Sequence, residues 1–164
     1  MEASERNALI ERIRDFPSQL EAMVHNLSDD DLFTPYLDGE WTVAQIIHHI
    51  ADGNINLYTR IKLCITEDQP TIKTVNINEW ANLPDADMHG VQASLEIVRG
   101  LHDRLYITLC QLPAGTFERT FNHPMFGIGT LDNLVKNYSR HGYSHIEQIK
   151  QTLAAKSSSH NEPH

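Results

Sequence analysis

LDNLVKNYSRHGYSHIEQIKQTLAA, residues 131–155, reads as one long amphipathic helix that needs company. Leu134, Val135, Tyr138, Ile149 and Leu153 recur at helical spacing and form an apolar stripe. His141 and His145 lie inside that stripe. At about 100° per residue, an i,i+4 pair projects two imidazoles from neighbouring turns of one face. Polar rings on a face that packs against a core need partners. Neutral imidazole is the usual nitrogen ligand of zinc and related divalent ions. Periodicity leaves an alternative open, two core histidines hydrogen-bonded to backbone or to Tyr138, because the chain lacks the glutamate of an HExxH motif.

Three other stretches share this period. The first predicted helix runs from Ser4 to Leu27, with Pro17 expected to kink it or split it in two. A short acidic turn, SDDDL, follows. Thr42-Val-Ala-Gln45 has the form of a capping box and opens a second helix that reaches Thr66. A long connection from Pro70 to Ala86 holds a possible short helix at Asn78–Asn82, and a third helix covers Val91 to Gln111. Phe117–Phe121 reads as a short strand, His123 to Gly129 as a turn-rich loop, and Thr130 as the N-cap of the last helix. The pattern predicts an all-α four-helix bundle over residues 1–155, with a disordered tail at 156–164 that carries His160 and His164. Long connections in such bundles often cover a site.

With 22 acidic against 13 basic side chains, the net charge is −9. That balance argues against binding nucleic acid or an anionic membrane by electrostatics. The N-terminus, MEASERNALIERIRDF, has no apolar signal core, which with the absence of a long apolar run predicts a cytoplasmic protein. Cys64 and Cys110 read as reduced, mostly buried thiols. Neither nucleotide-binding glycine motifs nor a GxSxG elbow is present.

A metal site needs a third ligand from another helix. On a helical wheel, His49 lies about 110° and His48 about 150° from the centre of the second helix's apolar face. His49 therefore flanks the core, while His48 is expected to point outward with Asp52. Gly53, one turn beyond His49, would leave open space above it. Three imidazoles with a fourth position open form a catalytic rather than a structural arrangement. His89 and His102 read as surface residues, His123 as a turn residue, and Trp41 and Trp80 as core or loop anchors.

The stretch Trp41–Lys73, WTVAQIIHHIADGNINLYTRIKLCITEDQPTIK, resembles the signature of the YfiT-like branch of the DinB superfamily, WTVxQxxHHxADSHMNxYxRxKLxxTExxPTIK. WANLPD, FNHP, TLDNL and YSRHGYSHI are similar to the remaining blocks in the same order, so the resemblance extends from the first helix to Ile149. It implies a four-helix bundle, often a homodimer, with a divalent metal (Zn or Ni, then Mn or Fe) held by His49, His141 and His145. It also implies a metal-dependent enzyme. The expected activity is a thiol S-transferase, in which a metal-activated small thiol such as bacillithiol attacks a small electrophile. Hydrolysis by metal-bound hydroxide is the second expectation, and a non-catalytic stress-response or binding protein the third. Asn56 and Arg60 match family positions near the site, where they would orient an anionic substrate. The chain departs from the pattern at Asn54 and Ser144, where the family has histidine, and at Arg140, where it has tryptophan. The surroundings of the ligands have therefore changed while the ligand positions remain.

Overall fold

The protein is described by a computed structural model covering residues 1–87 and 90–159, so His89, His160 and His164 lie outside the described residues. Helix α1 (Ala3–Val24) is followed by the single-turn α2 (Asp29–Phe33), α3 (Val43–Thr66), the short α4 (Ile77–Trp80) and α5 (Gln92–Gln111). A hairpin of β1 (Thr120–His123) and β2 (Gly127–Thr130) then leads directly into α6 (Leu131–Ser159). Helices α1 and α3 each pack against α5 and α6, which makes a four-helix bundle with α1 and α3 on one diagonal. Among the described residues, no helix is long and apolar enough to cross a membrane.

The helix starts follow from local chemistry. Thr42 Oγ1 accepts from the Gln45 amide while Gln45 Oε1 accepts from the Thr42 amide, the reciprocal box read in the sequence. Thr130 and Asn133 do the same for α6. A third box, Ser28 with Asp31, converts the expected acidic turn into α2.

Other boundaries differ from the sequence reading. The expected strand at 117–121 is displaced: residues 114–118 form a 3₁₀ turn and the strand begins at Thr120. Its partner, Gly-Ile-Gly-Thr, has no alternating pattern to announce it. Helix α6 continues past Ala155 to Ser159, where Lys156 donates to Asp31 at 2.7 Å and ties the end of the bundle to α2. Only residues 160–164 of the expected disordered tail are undescribed. Cys64 is buried as expected but Cys110 is exposed, because one step of about 100° from Leu109 turns it off the core stripe of α5.

The bundle interior is two apolar clusters with a polar layer between them. One contains Ile13, Leu57, Leu105 and Tyr138, and the other Phe16, Ala51, Val98 and Ile146. On each long helix the change of cluster falls at a polar or small residue: Asn54 on α3, His102 on α5, and His141 with Gly142 on α6.

On α1 the change falls between Ile13 and Phe16, at the level of a carbonyl that Pro17 leaves without its helical donor. The helix continues through Pro17, but proline has no N–H, so the carbonyl four residues earlier, that of Ile13, loses its helical donor. His102 Nδ1–H donates to that carbonyl at 2.6 Å. This fixes the tautomer, since a carbonyl can only accept, and leaves His102 Nε2 to accept from Asn54 Nδ2 at 3.0 Å. The ring is also stacked on Phe16. His102 is thus a buried structural residue rather than the surface residue expected. Its position, four residues after Val98 and three before Leu105, lies in the core stripe of α5, but the demand for a donor that justifies a polar ring there comes from a proline about 85 residues away in sequence.

Burial pushes the His102 pKa down to about 4, so the native ring stays neutral while the unfolded chain protonates near 6.5. The unfolded state therefore binds more protons below pH 6.5. The stabilisation is complete above that value and is lost as the pH falls towards 4, by about 3 kcal/mol. Urea unfolding of wild type and His102→Gln at pH 7.5 and pH 4.5 checks this: the variant is expected to be less stable at pH 7.5 and to lose less on acidification. Equal losses would clear His102 of the effect.

Candidate metal centre

Helix α3 carries His49 and α6 carries His141 and His145, and one nitrogen from each lies within 4.8 Å of the other two. The ring centroids are 4.7 Å apart for His49–His145 and His141–His145, and 5.6 Å for His49–His141. Gln148, one turn after His145, accepts from His145 Nδ1 at 2.8 Å, so the Nε2 lone pair of that ring is free to ligate. His49 Nδ1 and His141 Nδ1 are buried and make no hydrogen bond to any described residue. The bland role for the HxxxH pair, hydrogen bonding to backbone or to Tyr138, is therefore not fulfilled at His141. A divalent cation would fit this donor set, because one ion could satisfy three convergent imidazole nitrogens at once.

Electrostatics prepare the rings for that task. Burial, and then the neighbouring imidazoles, push His141 down to about 3. Burial and then His145 push His49 to about 4. Burial lowers His145 too, against the opposing hydrogen bond to Gln148. All three are neutral at pH 7, which is the protonation state a metal requires.

The approach of the two helices depends on Gly53. A Cβ built there would lie 2.5 Å from His141 Cε1 and 3.0 Å from its Nε2. The space expected above His49 is thus taken up by the ring of His141. Behind the cluster, the half-buried Trp41 indole has its ring centroid 4.5 Å from that of His49. Trp80 is half-buried on α4.

His48 does not point outward. It is buried, and its Nδ1 lies 2.8 Å from Ser94 Oγ on α5. The helical wheel assumes one buried face, whereas α3 contacts α5, α6, α2, α4 and the 3₁₀ turn at Pro84–Asp87, and 13 of its 24 residues are buried. His123 fills a turn role, accepting from the Met125 amide. Of the three departures from the family pattern, Asn54 belongs to the polar layer, the Ser144 hydroxyl donates to the His141 carbonyl at 2.7 Å, and Arg140 lines the cleft beside His141.

A cleft of about 420 Å³ opens beside His141. Asn56 and Arg60 from α3 line it, together with Asn137, Arg140 and Ser144 from α6. The long connection contributes Val75 and Ile77. Sequence reasoning missed Asn137, Arg140 and Gln148, although Asn137 stands four residues before His141 and Gln148 three after His145, spacings that place them beside the ligands. Among the described residues lining the cleft there is no carboxylate.

The fold and the three-histidine cluster define a class of helix bundle with side chains placed to hold a divalent metal. The DinB superfamily model matches residues 12–149, and the chain belongs to that family. It is 39% identical over 143 residues to the "Putative metal-dependent hydrolase OB0782" of Oceanobacillus iheyensis, covering 87% of this chain and 83% of that one. It is 36% identical over 144 residues to the protein of the same description, BH0277, from Halalkalibacterium halodurans, covering 88% and 84%. Among solved structures it superposes on YfiT from Bacillus subtilis, described as a probable metal-dependent hydrolase with an unusual four-helix bundle topology. That match has a TM-score of 0.90 at 33% identity and covers 96% of this chain and 90% of that one.

Substituting Gly53→Ala separates the fold from the site. Alanine favours a helix interior by up to about 1 kcal/mol over glycine, yet its methyl would displace the His141 ring. We expect an unchanged far-UV circular dichroism spectrum and at least tenfold weaker Zn²⁺ binding by calorimetry. Wild-type affinity in this variant would show that the ring can yield without cost.

Proposed function

We propose that this protein is a metal-dependent enzyme that transfers a small thiol to a small electrophile, with His49, His141 and His145 holding the ion. The observation that carries this reading is the composition of the cleft beside the ligands, where arginine, asparagine and serine occur among the described lining residues but no carboxylate does. Metal-dependent hydrolysis commonly adds an Asp or Glu that accepts the proton of the attacking water. A thiol is far more acidic than water, so beside a metal its proton would pass to solvent without a carboxylate. When bound, the ion would supply the acidifying charge that turns a thiol into its nucleophilic thiolate near neutral pH.

The remaining work falls to the chain. Gln148 holds the His145 tautomer so that its Nε2 keeps a lone pair to ligate. Leu57, Val75 and Ile77 give the cleft an apolar wall that excludes water from the reacting groups. Asn56 offers an amide and Arg60 a guanidinium to orient the substrate. In the transfer a carbon–sulfur bond forms, the bond from carbon to its leaving group breaks, and the thiol proton passes to solvent.

Hydrolysis is the second reading, favoured by the descriptions of the relatives. The two are separated by following the loss of 1-chloro-2,4-dinitrobenzene with and without a small thiol such as cysteine, alongside metal content by mass spectrometry. We expect near-stoichiometric metal in the wild type, turnover only with thiol, and loss of both in His141→Ala/His145→Ala. Thiol-independent hydrolysis of activated esters would favour the second reading. A wild type that stays metal-free after exposure to Zn²⁺, Ni²⁺ and Mn²⁺ would overturn both.

A further inference from the structure

A second cavity of about 330 Å³ lies against the β1–β2 hairpin and shares Arg60 and Asn137 with the cleft beside His141. Its far wall is apolar. Ile72 and Phe121 form the buried floor, while Phe126 and Ile128 project from the hairpin with 81% and 67% of their surfaces exposed. The start of the long connection is fastened to this hairpin, since the Ile72 amide donates to the Asn122 carbonyl and the Asn122 amide to the Pro70 carbonyl. The two cavities are therefore neighbouring parts of one wall-sharing depression, with Arg60 at the waist.

Arg60 is half-buried and incompletely used. Its Nη2 donates to the Lys73 carbonyl at 3.0 Å, whereas its buried Nε makes no hydrogen bond to any described residue. A guanidinium in such a position normally meets a carboxylate or phosphate, and desolvation already weighs on its charge. In a chain of net charge −9, no carboxylate occurs among the described residues lining either cavity. His123 adds a donor to the second cavity, because its Nδ1 accepts from the Met125 amide, which leaves the ring N–H on Nε2.

We infer that the hairpin cavity is the distal half of the substrate site, which takes an amphipathic anion. An anionic group, a carboxylate in the simplest case, binds at Arg60 and Asn137, and an apolar arm lies over Phe126 and Ile128. This deepens the reading proposed above and rests on it for the direction in which the reacting end points. The charge complementarity and the shared residues identify the occupant of the apolar hairpin face as the arm of a substrate already anchored at the waist.

The test measures binding rather than turnover, so it succeeds or fails separately from the proposed reaction. 4-Phenylbutyrate, 4-phenylbutyramide and acetate are titrated into the full chain by calorimetry or NMR. The acid is expected to bind at least tenfold more tightly than the amide, as hydrogen bonds to a charged group require. Arg60→Gln should abolish that preference. Phe126→Ser/Ile128→Ser, at exposed positions that leave the fold intact, should weaken acid and amide alike by several-fold and leave acetate unchanged. The His141→Ala/His145→Ala chain should keep the preference, because the anion is held by Arg60 and not by a metal. Equal binding of acid and amide, indifference to the hairpin substitutions, or a preference that vanishes with the two histidines would each overturn the inference.

Discussion

The Ile13 carbonyl, denied its helical donor by Pro17, accepts instead from His102, and the middle of the bundle is organised around that bond. A buried backbone acceptor without a partner is costly, so the bundle needs a donor at this level. A histidine there brings a second nitrogen that must also be satisfied, and Asn54 supplies it. The result is a polar stratum between two apolar clusters, in which every imidazole with a lowered pKa remains uncharged at neutral pH. Such a layer gives up apolar burial, but it gives the four helices a level at which they must align.

The candidate metal centre is built at the edge of that same stratum. His141 sits one turn after Tyr138 and against Gly53, where the absence of a side chain lets an imidazole approach the α3 backbone. Gly142, next to it, leaves room for the ring of Phe16 from α1. Two glycines on different helices thus serve one purpose, close packing of rings against backbone at the level where the ligands converge. The cleft opens beside His141 and the hairpin cavity beyond it, with Arg60 lining both and Trp41 neither.

Much of this was legible in the sequence. The helices, the Thr42–Gln45 capping box, the Thr130 N-cap and the trio His49, His141 and His145 follow from periodicity and short-range spacing, and the structure brings the three rings together. His48 and His102 were misread for different reasons: the wheel gives α3 a single buried face although several segments cover it, whereas His102 stands in the α5 core stripe between Val98 and Leu105 but is a polar residue type. The demand for His102 originates in Pro17, and the partner of His48 is Ser94, both remote in sequence. The cleft walls supplied by Val75 and Ile77 come from a connection with no periodic signal, so only the folded chain could assign them.

The ligands are divided two and one between helices, and this has a consequence for how an ion would act on folding. His141 and His145 need only a turn of α6 to converge, so an unfolded chain with transient helix could already offer them to an ion. His49 joins only when α3 docks, some 92 residues away along the chain. Binding to the unfolded state subtracts from the stability a ligand confers. An ion would therefore stabilise the bundle by the difference between two imidazoles and three, working as a clasp between α3 and α6 whose strength is the grip of a single ring.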